Sequence, residues 1–182
     1  MEKDDQDGTL SSSELLILTD QQDLEKLQLD LFEAFFLTYG LNALSIYDSL
    51  QAPLSIETCW TLFCKADPSF HYKYAVYHYY RSLGWVPKNG LKFGVDFVLY
   101  QRGPSFRHAD YAVVIIPVEM HKEEARMSWQ WLLRLNRICN QVKKTLLLCY
   151  VDIPETVCHS RLNEYHIRQV TYKRWSPQRN RK

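Results

Sequence analysis

Two continuous apolar runs in the second half of the chain constrain the fold most. They are YAVVIIPV at residues 111–118 and TLLLCYV at residues 145–151. The first predicts a strong strand, and the unbroken apolar character of the second predicts a buried one. The segment between them, SWQWLLRLNRICNQVKK, has the spacing of an amphipathic helix, with Ser128 as its expected cap. We therefore expect a sheet with one helix packed on it.

The preceding sequence predicts three helices. The first runs through LEKLQLDLFEAFFLTYG, with Asp20 or Asp23 as its cap and Gly40 at its end. The second begins after Ser55 and covers TCWTLFCKA. The third, SFHYKYAVYHYYRSLG, ends at Gly84. We expect this tyrosine-rich third helix to pack against the sheet or a partner rather than to bind bases.

Short β-rich segments follow Gly84, and glycines separate them. They are WVPK, LKF and VDFVLY, and a last strand is expected in HIRQVTYKRW. Helices followed by a β-rich block with one packed helix indicate an α/β or α+β domain from about residue 69 onward.

The charge of the chain is unevenly distributed. The net charge is +1, which alone argues against a nucleic-acid binder. Residues 1–30, however, carry nine acids and two bases, a net of −7, so residues 31–182 carry a net of +8. The basic character of residues 31–182, which follow an acidic N-terminal segment, suggests a phosphate-rich partner.

Three further features of the sequence bear on the compartment. The N-terminus lacks the pattern of a signal peptide, and no apolar run reaches membrane-spanning length. The five cysteines form no CxxC pair. Their odd number and spacing favour free thiols in a reducing compartment over a zinc finger.

Common catalytic motifs are missing from the sequence. It contains no P-loop, GxGxxG, GxSxG or HExxH. A two-metal nuclease site could be built from Asp96, Asp110 and Glu119. Their spacing matches no metal-binding pattern, so we expect Asp96 and Asp110 to form local hydrogen bonds. No metal and no cofactor is expected.

Three polar residues stand where apolar strands begin or end. Tyr100 ends VDFVLY, His108 precedes YAVVIIPV, and Lys144 precedes TLLLCY. Each has an ordinary explanation: half-buried packing for the tyrosine, solvation for the histidine, and the helix dipole for the lysine. Side chains at such junctions can also converge at one end of a sheet, where a substrate reaches them.

The stretch YHYYRSLGWVPKNGLKFGVDFVLYQRGPSFRHADYAVVI, with KKTLLLCY after it, resembles the catalytic subunits of the tRNA-splicing (tRNA intron) endonuclease. The similarity covers roughly residues 27–176, and the RGP-x-F-x-H-A form resembles the subunit that cleaves the 5′ splice site. The resemblance implies an α/β fold, with a small, mainly helical N-terminal region and a nuclease-like C-terminal domain with a mixed central sheet. The expected division is a flexible acidic head at 1–19, a helical region at 20–68, a catalytic endonuclease domain at 69–176 and a basic tail at 177–182.

The same resemblance implies a catalytic site of Tyr100, His108 and Lys144, with Lys143 as an adjacent alternative to Lys144. The implied reaction is metal-independent attack of an RNA 2′-hydroxyl on the neighbouring phosphorus, which leaves 2′,3′-cyclic phosphate and 5′-hydroxyl ends. His108 would be the acid and Lys144 the cation that stabilises the phosphorane. Tyr100 would act as the base or merely orient the 2′-hydroxyl, because a free tyrosine is a weak base.

Two further positions match the family's RNA-binding residues. Relatives use an arginine and a tryptophan at the places of Arg137 and Trp175 to sandwich a flipped intron base. The ordinary alternative is a surface arginine and a tail tryptophan that packs on the sheet.

The resemblance also implies partners. They are precursor tRNA and three other subunits of the endonuclease, one of them catalytic and two structural. The strand HIRQVTYK could pair with a partner strand. The alternatives are a non-catalytic RNA-binding or assembly subunit, or an RNase of broader range. The expected location is the nucleus, with the mitochondrial outer surface or the cytoplasm as alternatives.

Overall fold

The computed structural model describes residues 27–118 and 128–173, and it has the predicted α/β fold. The α-helices are α1 (Leu31–Phe35), α2 (Ile56–Ala66), α3 (Phe70–Ser82) and α4 (Trp129–Gln141). The strands are β1 (Val86–Asn89), β2 (Phe97–Tyr100), β3 (Tyr111–Val118), β4 (Thr145–Asp152) and β5 (His166–Tyr172). A π-helical turn (Phe36–Gly40) follows α1, and 3₁₀ turns lie at Leu91–Phe93 and His159–Glu164.

The five strands form one mixed sheet in the order β1-β2-β3-β4-β5. Strands β3 and β4 are parallel, and the other neighbouring pairs in this sheet are antiparallel. Tyr111 at the start of β3 lies opposite Thr145 at the start of β4 and opposite Leu99 near the end of β2. The end of β2 and the starts of β3 and β4 therefore share one end of the sheet, which we call the strand-start end.

One face of the sheet packs against α1, α2 and α3 through an aromatic core. Phe35 lies edge-on to Tyr74, with ring centroids 4.7 Å apart and planes at 90°. This geometry is a favourable one for two aromatic rings. Tyr74, Tyr77 and Tyr80 of α3 are buried, so the prediction that this helix packs against the sheet is confirmed. Burial raises the pKa of Tyr77 to about 12, so its hydroxyl stays neutral.

The opposite face of the sheet is covered by α4. Leu135 and Cys139 of this helix are buried against strand residues that alternate with those facing the aromatic core. The strand residues on this face are Val98, Ala112, Val114, Ile116, Leu146 and Leu148. Strands β2, β3 and β4 are thus covered on both faces, as their apolar sequences predict.

Several predicted helix ends are confirmed. The Ser55 hydroxyl accepts a hydrogen bond from the Thr58 N–H at 3.2 Å, and the Ser128 hydroxyl accepts one from the Trp131 N–H at 3.2 Å. Gly84 follows α3 with a φ of +84°, a conformation that glycine adopts without a steric penalty.

The predicted first helix is wrong in its extent. Residues 27–30 are not helical, and α1 begins at Leu31. Asp30 and Glu33 form a capping box, in which each side chain accepts the other residue's N–H. Such a reciprocal cap favours a helix start at this point. The predicted caps Asp20 and Asp23 lie outside the described residues, as do the acidic head at 1–19 and the basic tail.

The predicted β segment LKF is also wrong. Leu91–Phe93 is a 3₁₀ turn, because the Phe93 N–H donates to the Gly90 carbonyl at 2.8 Å and the Gly94 N–H donates to that of Leu91 at 2.9 Å. The Asn89 side chain accepts the Leu91 N–H at 2.8 Å and starts the turn. β-rich composition was thus outweighed by turn chemistry.

Two expectations from composition can be compared with the described residues. The five cysteines are free thiols, as predicted. Across residues 27–118 and 128–173, no helix combines the length and apolarity needed to cross a bilayer.

Two leucines provide a matched test of the core. Leu99 is 1% exposed beneath the helices, whereas Leu91 is 80% exposed. We expect Leu99→Ala to lower the free energy of unfolding by about 2–5 kcal/mol, since it leaves a cavity. Leu91→Ala should change it by less than about 0.5 kcal/mol. Urea unfolding followed by circular dichroism measures both, and equal losses would contradict the packing described.

Candidate active site

The three predicted catalytic residues lie in segments that meet at the strand-start end of the sheet. The backbone of Asp110 connects three strands there. Its N–H donates to the Leu99 carbonyl at 3.0 Å, and its carbonyl accepts the Thr145 N–H at 3.0 Å. The end of β2, the segment before β3 and the segment before β4 are therefore held side by side by main-chain hydrogen bonds.

The end of α4 determines where Lys144 lies. The Lys144 N–H donates to the Cys139 carbonyl at 2.8 Å, and the Lys143 N–H donates to the Asn140 carbonyl at 3.1 Å. Lys143 has a φ of +55°. These two bonds around a left-handed residue form a Schellman motif, which ends a helix and turns the chain. The turn directs the chain into β4 and leaves Lys144 at the strand-start end.

The side chain of Lys144 points into the site rather than into solvent. Its Nζ donates to the Ala109 carbonyl at 3.1 Å and lies 5.1 Å from the centroid of the Phe93 ring. Burial raises the pKa of the Cys139 thiol, and the nearby Lys144 ammonium partly opposes this shift. Lys143 is exposed in the left-handed turn. The geometry favours Lys144 over Lys143 as the cation of this site.

Tyr100 and His108 are the other two predicted catalytic residues. Tyr100 is the last residue of β2, is half-buried, and packs against the core beneath α4. His108 is exposed and directly precedes Ala109, whose carbonyl holds the Lys144 ammonium. Neither the Tyr100 hydroxyl nor the His108 ring makes a hydrogen bond with another described residue. Within residues 27–118 and 128–173, no hydrogen bond therefore prevents either group from contacting a substrate. Their catalytic roles stay predictions.

The loop between Tyr100 and His108 is ordered by its own hydrogen bonds. The Gly103 carbonyl accepts the N–H groups of Phe106 and Arg107 at 3.2 and 3.4 Å. The Arg107 guanidinium donates to the Gln101 side chain at 2.8 Å. Gly103 has a φ of +103°, which other residues adopt only with strain. These contacts therefore order the backbone of the loop that leads to His108.

Of the two predicted RNA-binding residues, only Arg137 lies within the described part of the chain. Arg137 is exposed on α4, two helical turns before Lys144. Trp175 lies outside the described residues. Sequence reasoning also missed two contributors to the site, the Phe93 ring and the Ala109 carbonyl. Neither could have been found from residue type, because both act only through their position beside Lys144.

Asp96, one of the three carboxylates considered for a metal site, has other contacts. Asp96 Oδ2 accepts the Ile115 N–H at 2.8 Å, and Asp96 Oδ1 lies 3.8 Å from the Lys73 Nζ. The expectation of a local hydrogen bond is confirmed for this residue. Glu119 lies outside the described residues. Within residues 27–118 and 128–173, no three His, Cys, Asp or Glu side chains are grouped as metal ligands would be.

Comparison with protein families identifies the class to which this fold and site belong. Residues 70–158 match the family described as tRNA intron endonuclease, catalytic C-terminal domain. The matched range contains Tyr100, His108 and Lys144. The chain belongs to the tRNA intron endonuclease family.

The chain is also similar to individual tRNA-splicing endonuclease subunits. The chain is 42% identical over 166 residues to tRNA-splicing endonuclease subunit Sen2 of Rattus norvegicus, covering 86% of this chain and 36% of the relative. It is 36% identical to subunit SEN2 of Saccharomyces cerevisiae, over 87% of this chain and 43% of the relative. It is 34% identical to subunit Sen2-2 of Arabidopsis thaliana, over 91% of this chain and 67% of the relative. The chain thus spans about a third of the rat protein.

Asp96 allows a test that separates a structural from a metal-binding role. We expect Asp96→Ala to lower the free energy of unfolding by about 1–3 kcal/mol, because the buried Ile115 N–H loses its acceptor. Urea unfolding with and without Mg²⁺ measures this. Glu155→Ala, at an exposed carboxylate that makes no hydrogen bond with another described residue, is the control. If Mg²⁺ stabilised the wild type and not Asp96→Ala, the structural role would be contradicted.

Proposed function

We propose that this chain is a catalytic subunit of a tRNA-splicing endonuclease and cleaves intron-containing precursor tRNA at the 5′ splice site. One observation carries the proposal: the Lys144 ammonium is held by the Ala109 carbonyl, beside His108 and at the same end of the sheet as Tyr100. The relatives named as tRNA-splicing endonuclease subunits support the choice of RNA substrate.

The proposed reaction uses the RNA's own 2′-hydroxyl as the nucleophile. Its oxygen attacks the adjacent phosphorus, and the bond from phosphorus to the 5′-oxygen of the next nucleotide breaks. Tyr100 accepts or orients the 2′-hydroxyl proton, and His108 donates a proton to the departing 5′-oxygen. The products are a 2′,3′-cyclic phosphate and a 5′-hydroxyl.

Lys144 would stabilise the negative charge that builds up on the phosphorane. Its ammonium is half-buried and already oriented by the Ala109 carbonyl and the Phe93 ring. A pre-oriented charge in a partly desolvated position acts more strongly than one in bulk water. Because one hydrogen bond to Ala109 uses one of three ammonium protons, the others can reach phosphate oxygens.

Choice of the 5′ splice site is proposed from the loop form RGPSFRHA, which lies between Tyr100 and β3. Arg137 and Trp175 are proposed to sandwich an intron base, since splayed RNA bases stack on guanidinium and aromatic planes. The exposure of Arg137 is compatible with this role.

Assembly with one further catalytic and two structural subunits is part of the proposal. Strand β5 lies at the margin of the five-stranded sheet and pairs with β4 on one side. Most of its residues are exposed, so its outer side could receive a partner strand. We propose the nucleus as the location.

Single substitutions with matched neighbours test the assignment. In the assembled endonuclease, we expect His108→Ala to slow cleavage at one splice site by about 10²–10⁴-fold, because the leaving oxygen loses its acid. Lys144→Met should slow it by about 10²–10³-fold, since one charge-stabilising group is lost. The control is Lys143→Met, which alters the adjacent, exposed lysine. Cleavage is measured on precursor tRNA with end-group mapping.

Two outcomes would refute this assignment. If His108→Ala cleaved both sites at the wild-type rate, the histidine would not be the acid. If the wild-type chain entered the assembly but neither splice site depended on Tyr100, His108 or Lys144, the chain would be a non-catalytic assembly or RNA-binding subunit.

Chelation tests the metal-independent step. We expect the assembled enzyme to cleave precursor tRNA within about two-fold of its normal rate in excess EDTA, provided that spermidine keeps the tRNA folded, because protein side chains alone move the protons. Quantified cleavage products measure this. A rate that falls with EDTA and returns only with added Mg²⁺ or Mn²⁺ would contradict the mechanism.

A further inference from the structure

Phe106 differs from the other phenylalanines of the chain. It is 78% exposed. The remaining seven are buried in one of the two hydrophobic cores or packed against them: Phe32, Phe35, Phe36, Phe63, Phe70, Phe93 and Phe97. A single exposed apolar side chain is ordinary on its own. The location of this one makes it informative, because it lies two residues before His108.

The backbone beneath the Phe106 ring is held in place. Its N–H donates to the Gly103 carbonyl at 3.2 Å, and the neighbouring Arg107 is tied to Gln101 at 2.8 Å. The ring is therefore carried by a hydrogen-bonded turn instead of packing into a core. A pre-ordered aromatic surface loses little conformational entropy when a ligand stacks on it.

The charges around Phe106 indicate what kind of ligand fits. The segment QRGPSFR contains Arg102 and Arg107, both exposed, and no acid. An unpaired RNA base offers a flat apolar face with a phosphate on each side. This matches an exposed aromatic ring in a short segment that carries two exposed arginines.

We propose that Phe106 is a stacking platform for an unpaired base next to the scissile phosphate. This inference rests on the proposed function, because His108 must act on that phosphate. Stacking of this base would hold its own sugar in place, so that the 2′-hydroxyl or 5′-oxygen of that sugar faces the site. Phe106 is thus a substrate-positioning residue and takes no part in proton transfer.

The test uses the assembled endonuclease under single-turnover conditions with precursor tRNA. We expect Phe106→Ala and Phe106→Leu to lower kcat/KM at one splice site by about ten-fold, and Phe106→Tyr to stay within about two-fold, because stacking needs an aromatic face. Leu50→Ala, at an apolar residue that is 84% exposed in the N-terminal region, should have no effect.

A modified substrate makes the test specific to stacking. Abasic nucleotides are placed one at a time beside the scissile phosphate. At the stacked position, the missing base should slow the wild type about as much as Phe106→Ala does, and should not slow Phe106→Ala further.

Four results would overturn the proposal. The first is cleavage by Phe106→Ala at the wild-type rate, and the second is cleavage by Phe106→Leu at that rate. The third is that the rate losses from Phe106→Ala and from the missing base multiply at every abasic position. The fourth is that Phe106→Ala fails to enter the assembly, which would show that Phe106 contacts another subunit. If the wild-type assembly failed to cleave precursor tRNA at all, the proposed function would fail together with this inference.

Discussion

The parallel pairing of β3 with β4 is the constraint on which the rest of the structure depends. Because β2 runs antiparallel to β3, the end of β2 lies beside the starts of β3 and β4. Residues separated by more than forty positions in sequence, such as Tyr100 and Lys144, therefore stand at one end of one sheet. The main-chain bonds of Asp110 hold these junctions together, and the Lys144–Ala109 contact adds a side chain to the same frame.

The helices before the sheet support this frame from one side. Their aromatic residues and the inward-facing residues of β2, β3 and β4 form one core. The support reaches both margins of the sheet: Lys88 on β1 forms an ion pair with Glu33 of α1, and the Tyr80 hydroxyl donates to Gln169 on β5 at 3.2 Å. Packing of this kind resists small displacements, so the strand junctions of the site lie on a supported sheet.

The groups of the candidate site differ in how firmly they are held. Tyr100 and Lys144 lie at strand junctions and are half-buried, whereas His108 and Phe106 lie on an exposed, hydrogen-bonded loop. Rigid positions suit groups that must stabilise charge, and loop positions suit groups that must first meet a large substrate. The proposed precursor-tRNA substrate agrees with this division, since a folded RNA can approach only an open surface.

Much of the fold was determined by the sequence itself. Apolar runs, helix caps at Ser55 and Ser128, and the glycine after α3 are local signals, and each element they predict is present. The family motif likewise indicated Tyr100, His108 and Lys144. Tertiary structure alone decided that Phe93 and the Ala109 carbonyl contact the Lys144 ammonium, and that Phe106 stays outside both cores. These facts depend on the relative placement of distant segments, and strand pairing and packing determine that placement through contacts that no local pattern encodes.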